Sequence, residues 1–328
     1  MTKNLLCCDW GTSSFRLRLV DTFDYRIIAE HQSEEGVALT FRDWQAEGAL
    51  NRFEFYAARL RLAIQQLAHR FNTNVSNIPV IVSGMASSSI GMEEIPYAPL
   101  PFDLNGSGVS SRIFPNFNGK GSPLVLVSGV KSEDDVMRGE EAQVIGLFDL
   151  VGDSLPDMSD SLFVFPGTHS KHMWIKQGNM IGFRTFMTGE VFNILSEHSI
   201  LKDSISLETN FTDPGNKEAF TVGVQTSGTS NLLNTLFTVR TNQLFSKFSK
   251  QQNAFYLSGL LIGTELRQLA DDSGTPLIIC SGRNLFLHYK VAAELLSLTE
   301  NITFIEPEVI DKATIAGQVQ IFKAQNKL

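Results

Sequence analysis

Two hydrophobic periods take turns along this chain. The apolar run "NLLCC" at 4–8 stops at Asp9 and predicts a buried strand. "FRLRLV" at 15–20 alternates, with Phe15, Leu17 and Leu19 on one face and Arg16 and Arg18 on the other. "YRIIAEHQS" at 25–33 predicts a third strand. The period then lengthens: Phe53, Ala57, Leu60, Ile64 and Leu67 recur at helical spacing within 51–70. "IPVIVSG" (78–84) returns to a short buried strand. Residues 84–123 are rich in Gly, Ser, Pro and Asn and predict a long loop region, functional or mobile. "PLVLVSG" (123–129) predicts a strand and "EEAQVIGLFDL" (140–150) a helix.

"VGDSLPDMSD" (151–160) breaks the pattern, which then restarts in the same style. "SLFVFPG" (161–167) predicts a strand ending in a glycine turn, and "HMWIK" and "NMIGFRTF" flank the hairpin signal Gln177-Gly178. Helices are expected near 190–196, 229–246 and 254–270, then a strand at "PLIICSG" (276–282) and a helix near 284–297. A strand at "ITFIE" (302–306) and a last helix at 309–325 complete the chain. Each half opens with a strand, a Gly/Thr/Ser loop and more strand. This predicts an α/β protein of two related domains, 1–150 and 151–328, with a cleft between them and the last helix packing at their connection.

The 328 residues are 43% hydrophobic and 19% charged, enough to fill two medium cores. A net charge of −8 without a basic run argues against nucleic acid and against an acidic membrane surface as partners. Cys7, Cys8 and Cys280 fit neither a disulfide framework nor a zinc site and read as buried thiols of a reducing compartment. No signal peptide and no run of about 20 apolar residues is visible, so a soluble, cytoplasmic protein is expected. A homodimer stays open.

Candidate chemistry sits in the loops. "CDWGTSSFR" (8–16) offers Gly11, Thr12 and Ser13, whose backbone N–H groups and hydroxyls suit phosphate oxygens. Asp9 beside them makes sense if a hard cation such as Mg²⁺ lies between carboxylate and phosphate; a polar hairpin turn capped by Asp9 is the plain alternative. "PGTHSK" (166–171) repeats this chemistry with Gly167, Thr168 and Ser170, adds the cation Lys171, and offers His169 as base or loop former. "SEDDVMRGEEAQ" (132–143) is either a solvated helix start or a general base, Asp135 or Glu140, beside the anion-binding Arg138. Thr188-Gly189-Glu190 stands at a strand-to-helix junction, where helix capping by Thr188 is the plain reading, and Ser281-Gly282 follows a strand and either passes under an adenine ring or is a plain strand-to-helix turn. There is no Walker-type phosphate loop, no G-x-G-x-x-G helix start, no nucleophile elbow and no H-E-x-x-H.

In order, these loops resemble the actin, heat-shock-ATPase and sugar-kinase superfamily. "DWGTSS" resembles its first phosphate motif, "PGTHS" its second, "IICSG" its adenosine motif, and "EEAQVIG" and "ATIAG" (313–317) its two connecting helices. The resemblance is closer to the 2-dehydro-3-deoxygalactonokinases. It rests on "DWGTSSFR", "EEGV" (34–37), "SGM" with "PY" (83–85, 96–97), "DVMRGEEAQVIG", "FPGTHSKHMWI", "FRTFMTGEVFNIL" and "YLSGLLIG", with His172 where an aromatic residue is expected. It implies two ribonuclease H-like domains and an ATP- and Mg²⁺-dependent phosphotransferase acting on an alcohol group, the 6-hydroxyl of 2-dehydro-3-deoxy-galactonate, in galactonate breakdown. The implied nucleotide contacts are Gly11, Thr12, Ser13, Arg16, Gly167, Thr168, His169, Ser170, Lys171, Ser281 and Gly282. Asp9 would hold the metal, and Asp135 or Glu140 would take the proton. The sugar acid would meet Glu35, Gly36, Met85, Arg138, Thr188, Gly189 and Glu190. A kinase for another sugar or sugar acid, or a nucleotide-hydrolysing actin-like protein, would use the same loops.

Overall fold

Strands β1 (Asn4–Trp10) and β2 (Phe15–Asp21) pair antiparallel, and β3 (Ile27–Ser33) continues the meander. Alternation puts Leu6, Cys8, Trp10, Phe15, Leu17 and Leu19 on one buried face, where they pack with Tyr56, Leu60, Ile64 and Leu67 of a long helix. The structure is a computed structural model, and it describes residues 2–48, 51–207, 210–229, 231–272, 274–298 and 302–325. The helices here are α1 (Val37–Glu47), which the sequence pattern missed, and α2 (Arg52–Phe71). Strand β4 (Val80–Gly84) pairs parallel to β1. The expected loop at 84–123 holds short strands β5 (Ala98–Pro99), β6 (Phe102–Asp103) and β7 (Ser111–Phe114). Strand β8 (Leu124–Val127) pairs parallel to β4 and antiparallel to β7. A small hairpin, β9 (Val130–Lys131) and β10 (Val136–Met137), leads into α3 (Glu140–Val151). The acidic cluster at 132–143 is therefore a hairpin followed by a helix.

The second half runs β11 (Asp160–Phe165), β12 (Ser170–Lys176), β13 (Asn179–Phe186), α4 (Thr188–His198), α5 (Pro214–Thr226), α6 (Leu232–Leu236) and α7 (Thr238–Leu244). It ends with α8 (Lys250–Leu266), β14 (Leu277–Ile279), α9 (Arg283–Leu295), β15 (Ile302–Phe304) and α10 (Pro307–Gln325). The larger sheets share one order. The first is β3-β2-β1-β4-β8 with β7 added beside β8, and the second is β13-β12-β11-β14-β15 with β6 added beside β13. The family-bearing segment "YLSGLLIG" lies on α8, where a Cβ on Gly259 would stand 2.2 Å from the Phe220 carbonyl oxygen of α5. Close packing of these two helices explains that glycine.

The chain divides into two compact units, Met1–Ser159 with Lys176–Gly182 and Val309–Leu328, and Asp160–Ile175 with Phe183–Glu308. The division differs from the expected 150/151. Gly152–Ser154 and Pro156–Ser159 are short 3₁₀ turns following α3, so the breakers there shape a helix exit. The last helix returns to the first unit, where Gln318 Nε2 donates to the Cys8 carbonyl and to Ser83 Oγ, both at 2.8 Å.

Candidate active site

Asp9 ends the apolar run of β1, and Arg16 stands directly across from it on β2. In the turn between these strands the Gly11 N–H donates to the Ser14 carbonyl at 2.9 Å, with Thr12 and Ser13 exposed. The start of α1 braces this turn. Val37 and Ala38 donate their N–H groups to the carbonyls of Gly11 and Thr12 at 2.9 and 3.0 Å. Trp10 Nε1 donates to the Glu35 carbonyl at 3.1 Å. A Cβ on Gly36 would stand 2.3 Å from the Thr12 carbonyl oxygen, so only glycine permits this approach. Glu35 and Gly36 thus shape the first loop through their backbone.

Burial raises the Asp9 carboxyl above its ordinary value; Arg16 and Arg18 oppose the rise and Glu140 adds to it. Two left-handed glycines clear the space beside it. Gly84, at φ +85°, ends β4, and a Cβ there would come 2.8 Å from the Trp10 carbonyl oxygen and 3.3 Å from Asp9 Oδ1. Gly139, at φ +113°, caps α3 and lies next to Gly84. The first turn of α3 therefore brings Glu140 into the field of Asp9.

Arg138 is fixed from several sides. Its Nη1 donates to the Ser87 carbonyl at 2.8 Å, to Ser128 Oγ at 3.3 Å and to Ser87 Oγ. Its guanidinium lies 4.2 Å from the centre of the Tyr97 ring. Glu140 Oε2 accepts from the Arg138 N–H at 3.1 Å. Asp135 sits in the β9–β10 turn, where its Oδ1 accepts from the Val136 N–H at 2.7 Å and its own N–H donates to Ser132 Oγ at 2.9 Å. Met85 opens the turn after β4 and packs on the first core. Glu141 is wholly buried, with Oε2 accepting from the Gly139 N–H at 2.6 Å and Oε1 lacking a hydrogen-bond partner among the described residues. Burial, and then the neighbouring Glu140, push its carboxyl up to about 8.

In the second unit the turn between β11 and β12 exposes Thr168 and His169. Ser170 and Lys171 are buried instead. Ser170 Oγ donates to Glu265 Oε1 at 2.6 Å, and Lys171 Nζ donates to the His169 carbonyl at 3.1 Å. The start of α4 clasps this turn. A Cβ on Gly189 would stand 2.6 Å from the Gly167 carbonyl oxygen, and the Glu190 N–H donates to the Thr168 carbonyl at 3.0 Å. His169 Nε2 and Glu190 Oε2 are 2.5 Å apart.

A cavity of about 440 Å³ opens in the same unit. Gly167, Thr168, Thr188 and Gly189 line it, together with Phe255 and Ile262 of α8 and Asn284, His288 and Tyr289 of α9. His288 stacks at 16° on Phe255, and burial lowers its imidazole to about 4, so it is neutral near pH 7. The expected Ser281 is buried, and Gly282 caps α9; the lining comes from the turns of α9 that follow them. Sequence reasoning missed Glu265, Asn284 and His288. Glu265 had a signal, as an acid inside the apolar run "LSGLLIGTEL"; the other two look like ordinary helix residues.

A strand order repeated in two units, each with a glycine turn after its first strand, defines an α/β protein of the actin-like ATPase fold. The crystal structure of a "putative 2-dehydro-3-deoxygalactonokinase protein" from Sinorhizobium meliloti shares it, with a TM-score of 0.76 and 26% identity over 99% of this chain and 100% of the other. The family model described as 2-keto-3-deoxy-galactonokinase matches residues 9–321, and the chain belongs to that family of phosphotransferases. A "Probable 2-dehydro-3-deoxygalactonokinase" of Rhizobium meliloti (strain 1021) is 31% identical over 317 residues, 94% of this chain and 93% of the relative. The 2-dehydro-3-deoxygalactonokinase of Escherichia coli (strain K12) is 29% identical over 276 residues, 83% of this chain and 82% of the relative.

Proposed function

We propose that this kinase transfers the γ-phosphoryl group of ATP to the 6-hydroxyl of 2-dehydro-3-deoxy-galactonate, in cytoplasmic galactonate breakdown. The observation that carries this reading is the second-unit cavity, which is lined by the Gly167–Thr168 turn and walled by aromatic and amide side chains. It has the size and lining of a small-molecule pocket. The nucleoside would lie there, against Phe255 and His288. The exposed Thr168 would meet the phosphates from this unit, and the turn at Gly11 and the exposed Thr12 and Ser13 is the first unit's own candidate phosphate turn.

The buried Asp9 carboxyl, within the field of Glu140, fits a hard cation such as Mg²⁺, which is commonly held by one or two carboxylates and the substrate's phosphates, and Asp9 would hold it. Bound there, it would neutralise charge on the phosphates. No larger cluster of candidate ligands occurs among the described residues. Arg138, immobilised by Ser87, Ser128 and Tyr97, would take the substrate carboxylate. Asp135 or Glu140 accepts the proton of the 6-hydroxyl. Positioning and charge neutralisation supply most of the acceleration in such transfers.

The test measures ADP release with a panel of sugar acids. The reading requires release that depends on the acceptor and favours aldonates lacking a 3-hydroxyl. Equal release without any acceptor would replace it with nucleotide hydrolysis. Asp135→Asn and Glu140→Gln then identify the base: its loss lowers turnover while ATP still binds.

A further inference from the structure

The second-unit turn rests on a buried carboxylate that no motif marks. Glu265 is 2% exposed, near the end of α8, and its two oxygens take four donors. Oε1 accepts from Ser170 Oγ at 2.6 Å and from His172 Nε2 at 3.0 Å. Oε2 accepts from Tyr289 OH at 2.8 Å and from Thr188 Oγ1. Four lone-pair sites are what a carboxylate offers, and all are filled. The donors come from three elements: the start of β12, the first residue of α4, and α9.

We propose that Glu265 is a positioning residue for the nucleotide's phosphates, acting through Thr188. The path is short. Thr188 and Tyr289 line the cavity in front of Glu265. Gly189 and Glu190, next in the chain, hold the Gly167–Thr168 backbone by van der Waals contact and by the 3.0 Å hydrogen bond. Ser170 anchors the other end of the same turn. One side chain therefore fixes both the turn and the helix start that clasps it. Glycine turns are soft, and backbone donors bind phosphate well only when pre-aimed. His172 joins this hub, with its ring 4.4 Å from that of Phe186. A histidine at 172 can donate to Glu265, which a phenylalanine could not.

This inference rests on reading Gly167–Thr168 as a phosphate turn, and the experiment separates the two. ATP affinity, the KM for ATP, the KM for the sugar acid at saturating ATP, and thermal stability are measured for Gly167→Val, Glu265→Gln, Thr188→Val and Thr188→Ser. Gly167→Val tests the turn itself. Glu265→Gln and Thr188→Val each raise the Kd for ATP about tenfold, the scale of one buried charge-assisted hydrogen bond. The double variant is no worse than the weaker single, because both break one path. Thr188→Ser restores wild-type affinity, because the serine hydroxyl still reaches Glu265, and in Glu265→Gln the KM for ATP rises more than the KM for the sugar acid. If Glu265→Gln does not fold, Thr188→Val with its Ser rescue carries the test. Wild-type ATP binding in Thr188→Val, with Gly167→Val impaired, overturns the proposal and leaves the reading of the turn intact. Wild-type binding in Gly167→Val removes both.

Discussion

Gly146 and Gly317 put α3 and α10 in backbone contact. A Cβ on Gly146 would stand 1.8 Å from the Ala313 carbonyl oxygen, and one on Gly317 would stand 1.7 Å from that of Ala142. No rotamer change relieves a clash with backbone, so the helices must move apart. Gly317→Ala and Gly146→Ala should each cost about 1–3 kcal/mol or more in denaturant unfolding. Because they widen the same seam, the double variant should cost less than the sum. An alanine tolerated at either site would contradict this packing.

Asp9 is placed against stability. Its carboxyl is raised by burial, so the unfolded chain gives up this proton at a lower pH than the folded one. Stability is therefore lost as pH rises from the ordinary carboxylate value through the folded one. Asp9→Asn should raise the melting temperature at neutral pH and lower turnover by roughly 10²–10³-fold, the scale of one preorganised electrostatic contact. Thermal melts and ADP release on the same samples check both halves.

Glu141 gives a sharper pH signature. Its carboxyl is held neutral up to about 8 by burial, against 4.5 unperturbed. Between those values the unfolded state releases a proton that the folded state keeps. Stability should fall across that interval by several kcal/mol, given 1.36 kcal/mol per pKa unit, and level off above it. Glu141→Gln, which keeps an acceptor for the Gly139 N–H, should flatten the profile and gain stability at pH 8 relative to pH 5. Urea unfolding at the two pH values measures this.

Arg138 has a planar role. With Nη1 shared among Ser87 and Ser128 and its face on Tyr97, it presents a fixed fork. Arg138→Lys keeps the charge and loses the fork. The KM for the sugar acid should rise about 10–100-fold with the KM for ATP little changed. Steady-state kinetics with each substrate varied in turn decide it.

Much of the fold was legible because its strands are short and apolar or strictly alternating, as at 4–8 and 15–20. The helices α1 and α5 were not, since "VALTFRDWQAE" interrupts its apolar residues with polar ones and buries only Val37 and Thr40, and "PGNKEAFTVGVQT" carries few apolar residues and two glycines. The hairpin before α3 was hidden by its acids, which look the same in a turn as in a first helical turn. Both glycine turns were visible. What each neighbour does was not: Ser170 and Lys171 read as ligand-facing but are buried, because Glu265 and the turn's own carbonyl claim them. A hub of long-range hydrogen bonds leaves no local pattern.

The central claim is transfer of phosphate to one hydroxyl of one acceptor. The most direct measurement compares ADP release with 2-dehydro-3-deoxy-galactonate and with its 6-deoxy analogue. Turnover with the first and none above background with the second is the predicted result. Equal turnover with both would contradict the account.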